Sequence, residues 1–218
     1  MNNSIESQIT TSLPREEIFK VPVHESGEPL VEIIENDKIK LLKEHAFLSP
    51  YIREGVLDVL IRASNNLPLN HKLLIVTAYR PISMQKKLWR NRLIQMAKRH
   101  PFKMIFRYKE WVNLASKYTA PPGGSSHQCG AAVDVTILDQ NNERLDMGTS
   151  FTDFGSIVNT HTDLITEKQK QNRRMLYEVM TKAGFVNYPL EWWHYSYGDR
   201  MWAAYGRKTH ALYGRIEE

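Results

Sequence analysis

The 218-residue chain is 42% apolar and 24% charged, the balance of a soluble globular protein large enough to bury a continuous core. No stretch nears the roughly 18 uninterrupted apolar residues that a membrane span needs, and a single cysteine, Cys129, excludes an internal disulfide. The net charge of +5 comes from dispersed basic residues. Their densest group, Lys98, Arg99, Lys103, Arg107 and Lys109, reads as a solvated face rather than a nucleic-acid site, and a basic surface also suits an anionic peptide.

Residues 1–20 are polar and mixed in charge and read as a flexible arm ahead of one domain, 21–218. They lack the basic start, apolar run and small-residue cleavage site of a secretory signal, so a cytoplasmic protein is expected. A short strand is expected near Leu30, Val31, Ile33 and Ile34, after Gly27 and Pro29. Ile52, Val56, Val59, Leu60 and Ala63 recur at helical steps and predict a helix over 51–67. The apolar, β-rich run 72–79 predicts a buried strand, which Pro81 breaks before a helix over 83–98. A second helical piece follows over 101–122 around Trp111 and Leu114, closed by two prolines and two glycines. Residues 131–138 alternate as a strand, with Val133, Val135 and Ile137 on one face and Ala132, Asp134 and Thr136 on the other. A polar loop over 139–163 leads to a helix ending at Gly184, a favoured C-cap, and the aromatic run 191–197 reads as a strand. Strands and helices do not alternate strictly, so the expectation is an α+β domain: helices on a largely antiparallel sheet, with the site in a central cleft.

Zinc favours imidazole and carboxylate donors, and a catalytic site keeps three protein ligands. His127 on a glycine-flanked turn, Asp134 on the following strand and His194 on a later strand would make such a set. Any one of them alone is more often a structural hydrogen-bonder, yet a carboxylate inside an apolar strand is costly without a partner. Glu191 lies three residues before His194. Positions three apart on a regular strand point to opposite faces, so Glu191 must sit in the turn after Pro189 if it is to join the site. There it would take a proton from the attacking water and pass it to the leaving amine. Arg80, where a strand meets Pro81, could direct a fixed charge at a developing oxyanion, or make a surface ion pair.

Three segments carry a likeness. SSHQCGAAVD fits the pattern S-x-H-x-x-G-x-A-x-D, EWWH fits E-x-W-H, and TAYRP supplies an arginine-proline turn. With DMGTSF at 146–151 and NRRMLYEVMTKAGF at 172–185, the chain from about 55 to 200 resembles the D-alanyl-D-alanine dipeptidases of the vancomycin-resistance type, within the wider group of D-Ala-D-Ala carboxypeptidases and wall endopeptidases. The resemblance implies a metallopeptidase with one Zn²⁺ per chain acting on D-Ala-D-Ala. In it His127, Asp134 and His194 match the ligands, Glu191 the base and Arg80 the transition-state arginine. Ser125 matches the motif serine beside the substrate, with Ser126 next to it; Cys129 falls at a variable position. Where the dipeptidases carry an acidic residue for the substrate ammonium, this chain has Thr152, with Asp153 one step later. The family's N-terminal pocket-closing segment has no recognisable counterpart in residues 1–50. The alternatives are a carboxypeptidase or endopeptidase on longer wall peptides, a non-catalytic binding module with a structural zinc, and, last, a nucleic-acid binder.

Overall fold

The computed structural model describes residues 11–43, 49–116 and 119–216. Among the described residues there are seven short strands: β1 (Leu30–Glu32), β2 (Ile39–Leu41), β3 (Tyr51–Arg53), β4 (Lys72–Thr77), β5 (Ala132–Leu138), β6 (Val186–Asn187) and β7 (His194–Ser196). The helices are α1 (Arg15–Lys20), α2 (Glu54–Asn65), α3 (Ile82–Arg99), α4 (Pro101–Phe106), α5 (Tyr108–Ser116), α6 (Glu167–Ala183) and α7 (Arg200–Tyr205). A five-stranded sheet has the order β2-β4-β5-β7-β6, and β1 and β3 form a separate antiparallel pair. Within the five-stranded sheet, the edge pairing of β2 with β4 is parallel and the other pairings are antiparallel. The α+β class with a largely antiparallel sheet is thus the architecture observed.

β5 lies at the middle of the sheet and is buried at every residue. Val133, Val135 and Ile137 join Leu73 and Ile75 of β4 in the main core, against Val56, Val59, Leu60 and Ala63 of α2 and Leu176, Val179 and Met180 of α6. α6 begins at Thr166, whose side chain accepts from the Gln169 amide, and ends at Gly184 with φ +115. A β-carbon is strained in that left-handed conformation, so the expected cap is present for the expected reason. Met96, Trp111 and Ala115 make a smaller cluster under α3 and α5.

Several boundaries differ from the sequence reading. The helix expected from 51 starts at Glu54, because Tyr51–Arg53 pairs with β1 and places Ile52 in the core. The helical piece over 101–122 is two helices with a break at Arg107. The strand expected over 191–197 covers only His194–Ser196, the preceding residues being a turn. Of the expected arm, residues 1–10 lie outside the described residues. Arg15–Lys20 is helical and lies against α7, and the Leu13 amide donates to the Tyr205 hydroxyl at 2.9 Å. Among the described residues no helix is long and apolar enough to cross a membrane.

Arg173 on α6 shows how the fold holds its long loop. It is almost completely buried. It donates to the carbonyls of Met147, Ile157 and Asn159 and to the Thr149 hydroxyl, and it lies over the Trp192 ring. Arg173→Leu would leave those acceptors buried without donors, so a loss of about 2–4 kcal/mol in unfolding free energy is expected in a denaturant titration. A change within 0.5 kcal/mol would show that the loop does not depend on it.

Candidate active site

Asp134 and His194 are directly opposed residues of β5 and β7, which brings their side chains to the same face of the sheet. A register irregularity in β4 between Ile75 and Thr77 sets Thr77 opposite Asp134 on the other side. His127 arrives on a 3-10 turn, Ser126–Cys129, that ends at Gly130 with φ +66. The turn is fastened from several directions. Arg53 donates from its backbone amide to the Gly130 carbonyl and from Nε to the Cys129 carbonyl, and Gln128 Oε1 accepts from the amides of Gly123 and Ser125. The Arg80 amide donates to the His127 carbonyl at 3.0 Å.

His127 Nδ1 lies 2.8 Å from the Ala78 carbonyl, which can only accept, so Nδ1 carries the proton and Nε2 is left as a donor atom. Nε2 is 3.3 Å from Asp134 Oδ1, and His194 Nδ1 is 3.0 Å from the same oxygen. The three ligand atoms lie within 4.8 Å of one another and all three residues are buried. A zinc ion with ligands at about 2.0–2.1 Å makes a tetrahedron with edges of about 3.4 Å. The donor types and these spacings therefore fit a divalent ion with small adjustments. His194 Nε2 faces the Ser196 hydroxyl at 3.4 Å, and Ala78 supports His127, the outer contacts that fix ring orientation at metal sites.

Burial pushes the Asp134 carboxyl up, but the charges and hydrogen bonds of His127 and His194 outweigh it and hold the group far below the ordinary range. Burial keeps the His127 imidazole neutral, with a pKa of about 4. For His194 burial acts downward, yet the Asp134 hydrogen bond and charge raise it above its usual value. Asp134 is thus a carboxylate that favours the charged form of His194, beside a neutral His127.

Glu191 lies in the turn before β7. Its amide donates to the Tyr188 carbonyl, and its own carbonyl accepts from the His194 amide and from Asn187 Nδ2. Burial raises its carboxyl to about 7, with His194 and Arg80 pulling down and Asp134 pushing up. Arg80 is largely buried. It sets Nη2 3.6 Å from Asp134 Oδ2 and donates through Nη1 to Gln85 Oε1 at 3.0 Å, while Nε has no acceptor. Gln85 is itself fully buried and anchored through Nε2 on the Ala120 carbonyl.

The remaining expected residues are placed less centrally. Ser125 is buried at the N-cap of the 3-10 turn and lines the cleft. The Ser126 hydroxyl faces Asp199. Asp153 lines the cleft but is exposed, and its carboxylate accepts from the Ser150 amide at 2.8 Å. Burial pushes the Cys129 thiol up to about 12, which makes it inert. Gln85, Asn187, Ser196 and Asp199 were not singled out from sequence. Each is a lone polar residue whose role depends on a partner brought in by the fold. Arg80, Ser125, Ser126, His127, Asp134, Asp153, Glu191, His194 and Asp199 line a cleft of 1340 Å³ that residues of α1 and α3 also border.

A sequence model of the family described as D-ala-D-ala dipeptidase matches residues 53–212, well over half the chain. A D-alanyl-D-alanine dipeptidase of Synechocystis sp. is 29% identical over 246 residues, covering 94% of this chain and 98% of that protein. Another from Enterococcus faecium is 42% identical over 78 residues, which is 34% of this chain and 38% of that one. A solved structure of the vancomycin-resistance D,D-pentapeptidase VanY with Zn(II) shares 15% identity at a TM-score of 0.46, over 88% of this chain and 91% of that one. On the family match, this chain belongs to the D-ala-D-ala dipeptidase family of metallopeptidases.

Proposed function

We propose that the chain is a zinc-dependent dipeptidase that hydrolyses D-alanyl-D-alanine. The observation that carries this reading is the convergence of three buried donors from three separate elements, with a desolvated glutamate and a guanidinium in the same cleft. His127 Nε2, Asp134 Oδ1 and His194 Nδ1 would hold one Zn²⁺. When bound, that ion polarises the scissile carbonyl and acidifies water at neutral pH. Glu191, whose burial holds its carboxyl near neutrality, takes the proton of the attacking water and delivers it to the leaving amine. Arg80 is fixed by Gln85 and by the His127 carbonyl, so its charge faces the oxyanion at no cost in reorganisation. Ser125 and Ser126 border the peptide, and Asp153 is the carboxylate nearest in sequence to the place where the family holds the substrate ammonium.

Protein reconstituted with zinc is expected to release D-alanine from D-Ala-D-Ala, and chelator-treated protein to release none until zinc is restored. Equal rates in the two samples would overturn the reading. A carboxypeptidase acting on longer peptides is the second reading. It is favoured by a cleft larger than a dipeptide fills and by an Asp153 carboxylate already turned to the Ser150 amide. A pentapeptide ending in D-Ala-D-Ala separates the two, since capture of a free ammonium rejects it.

A further inference from the structure

We propose that α4, with the turns on either side of it, docks on an anionic membrane surface. Read from sequence alone, the basic group between 98 and 109 is a solvated face. The structure adds an apolar stripe beside it. Phe102, Ile105 and Phe106 stand three and four residues apart, on one side of α4, and are 77%, 65% and 76% exposed. Tyr108, at the start of α5, is 62% exposed. Single apolar side chains in water are ordinary, but three large ones on one side of a six-residue helix are a patch in want of a partner. No residue of α4 is fully buried, and its hold on the fold is Met104, which packs against the cluster of Met96, Trp111 and Ala115.

The charge around the stripe is of one sign. Lys103 in α4 and Arg107 at its C-cap are four residues apart and flank the apolar side chains, with Lys98 before the helix and Lys109 after it. No acidic residue stands between Lys98 and Lys109. Arg107 pairs with Glu110 at 3.3 Å, whereas Lys98, Lys103 and Lys109 make no ion pair among the described residues. Lys87, Arg90 and Lys98 extend the charge along an exposed stripe of α3, the helix that α4 packs against.

Apolar rings and unpaired lysines side by side match the two layers of a bilayer surface. The rings enter the boundary between headgroups and acyl chains, and the lysines lie along it with their ammonium groups at the phosphates. Other occupants fit less well. A second copy would bring the same unpaired lysines face to face. A groove that takes up an amphipathic helix reads anchors out to the seventh residue, and α4 has fewer than two turns to offer. A nucleic-acid duplex uses the lysines but has no place for Phe102 and Phe106. None of residues 98–109 lines the cleft, so docking here leaves the site open and the proposal stands apart from the peptidase chemistry.

The test is flotation of the full chain with vesicles of phosphatidylcholine alone and with equimolar phosphatidylcholine and phosphatidylglycerol. The mixed vesicles are expected to carry the protein at least about 10-fold better than the neutral ones, and about 1 M salt, where the Debye length is about 3 Å, to remove that advantage. Phe102→Ser with Phe106→Ser should lower binding to mixed vesicles by at least about 10-fold. Lys103→Ser with Lys109→Ser should lower it by about 5-fold per charge removed. All four side chains are exposed, so Tm is expected to hold; should the serine pair lower it, Ile105→Asn on the same stripe must show the loss of binding instead. The proposal is overturned by absence of flotation with mixed vesicles, by equal flotation with both kinds, or by binding indifferent to the phenylalanine pair. A lipid-free dimer that the phenylalanine pair dissociates would also overturn it, by assigning the stripe to a second copy.

Discussion

Glu191→Gln is expected to bind zinc as the unsubstituted protein does and to lose about 10²–10⁴-fold in kcat on D-Ala-D-Ala. The amide keeps the size and the turn, because the backbone hydrogen bonds of residue 191 to Tyr188, His194 and Asn187 do not involve the side chain. What it removes is a proton acceptor whose carboxyl burial has raised from 4.5 to about 7. The charge of a bound dication acts against that rise, so the acid limb of kcat/KM lies below about 7. The sign follows from the role. A base works only when deprotonated, so activity rises with pH through the limb and is lost as pH falls. The residual activity of Glu191→Gln should lack that limb. A variant retaining full rate, or the same limb at the same pH, would remove Glu191 from the chemistry.

The fold and site were legible from sequence to different depths, for physical reasons. Asp134 stood out because a carboxylate in a strand apolar on both sides has no solvated resting place, and the structure surrounds it with two imidazoles and a guanidinium. The strand period of two also required Glu191 to sit in a turn to join His194, which is where it lies. Ile52 was misread because its spacing to Val56 fits a helix as well as a strand leading into one; only the pairing with Leu30–Glu32 decides. β2 and β6 have three and two residues, too few to show any period. Gln85 and Arg173 carry no local signal. They are polar residues on helices, and their burial depends on carbonyls 35 and 14–26 residues away. The segment from 15 to 20 looked loose because none of its residues is buried, yet Arg15 and Phe19 border the cleft.

Asp134→Ala should be the most damaging single change at the site. It removes the oxygen that both imidazoles face, and it takes from Arg80 the only carboxylate within 4 Å of it among the described residues. Loss of an outer contact typically weakens metal binding about 10–100-fold, so loss of a ligand is expected to exceed about 100-fold. D-alanine release should become undetectable at zinc concentrations that saturate the unsubstituted protein. Binding a ligand to the folded state alone stabilises it by about 2.7 kcal/mol at a hundredfold excess over Kd. Added zinc should therefore raise the Tm of the unsubstituted protein by several degrees and leave Asp134→Ala nearly unmoved. The pH dependence adds a second sign. In the protein without zinc the Asp134 share of stability is lost as pH falls below the ordinary carboxylate range. Asp134 also raises the His194 pKa, so the stability from the His194 proton is full below the ordinary histidine range and declines as pH rises through the folded value. Zinc competes with that proton, so its affinity must increase over the same window, and binding must release protons into a weakly buffered solution. A Tm that zinc raises equally in Asp134→Ala would place the ion elsewhere, and with it the chemistry.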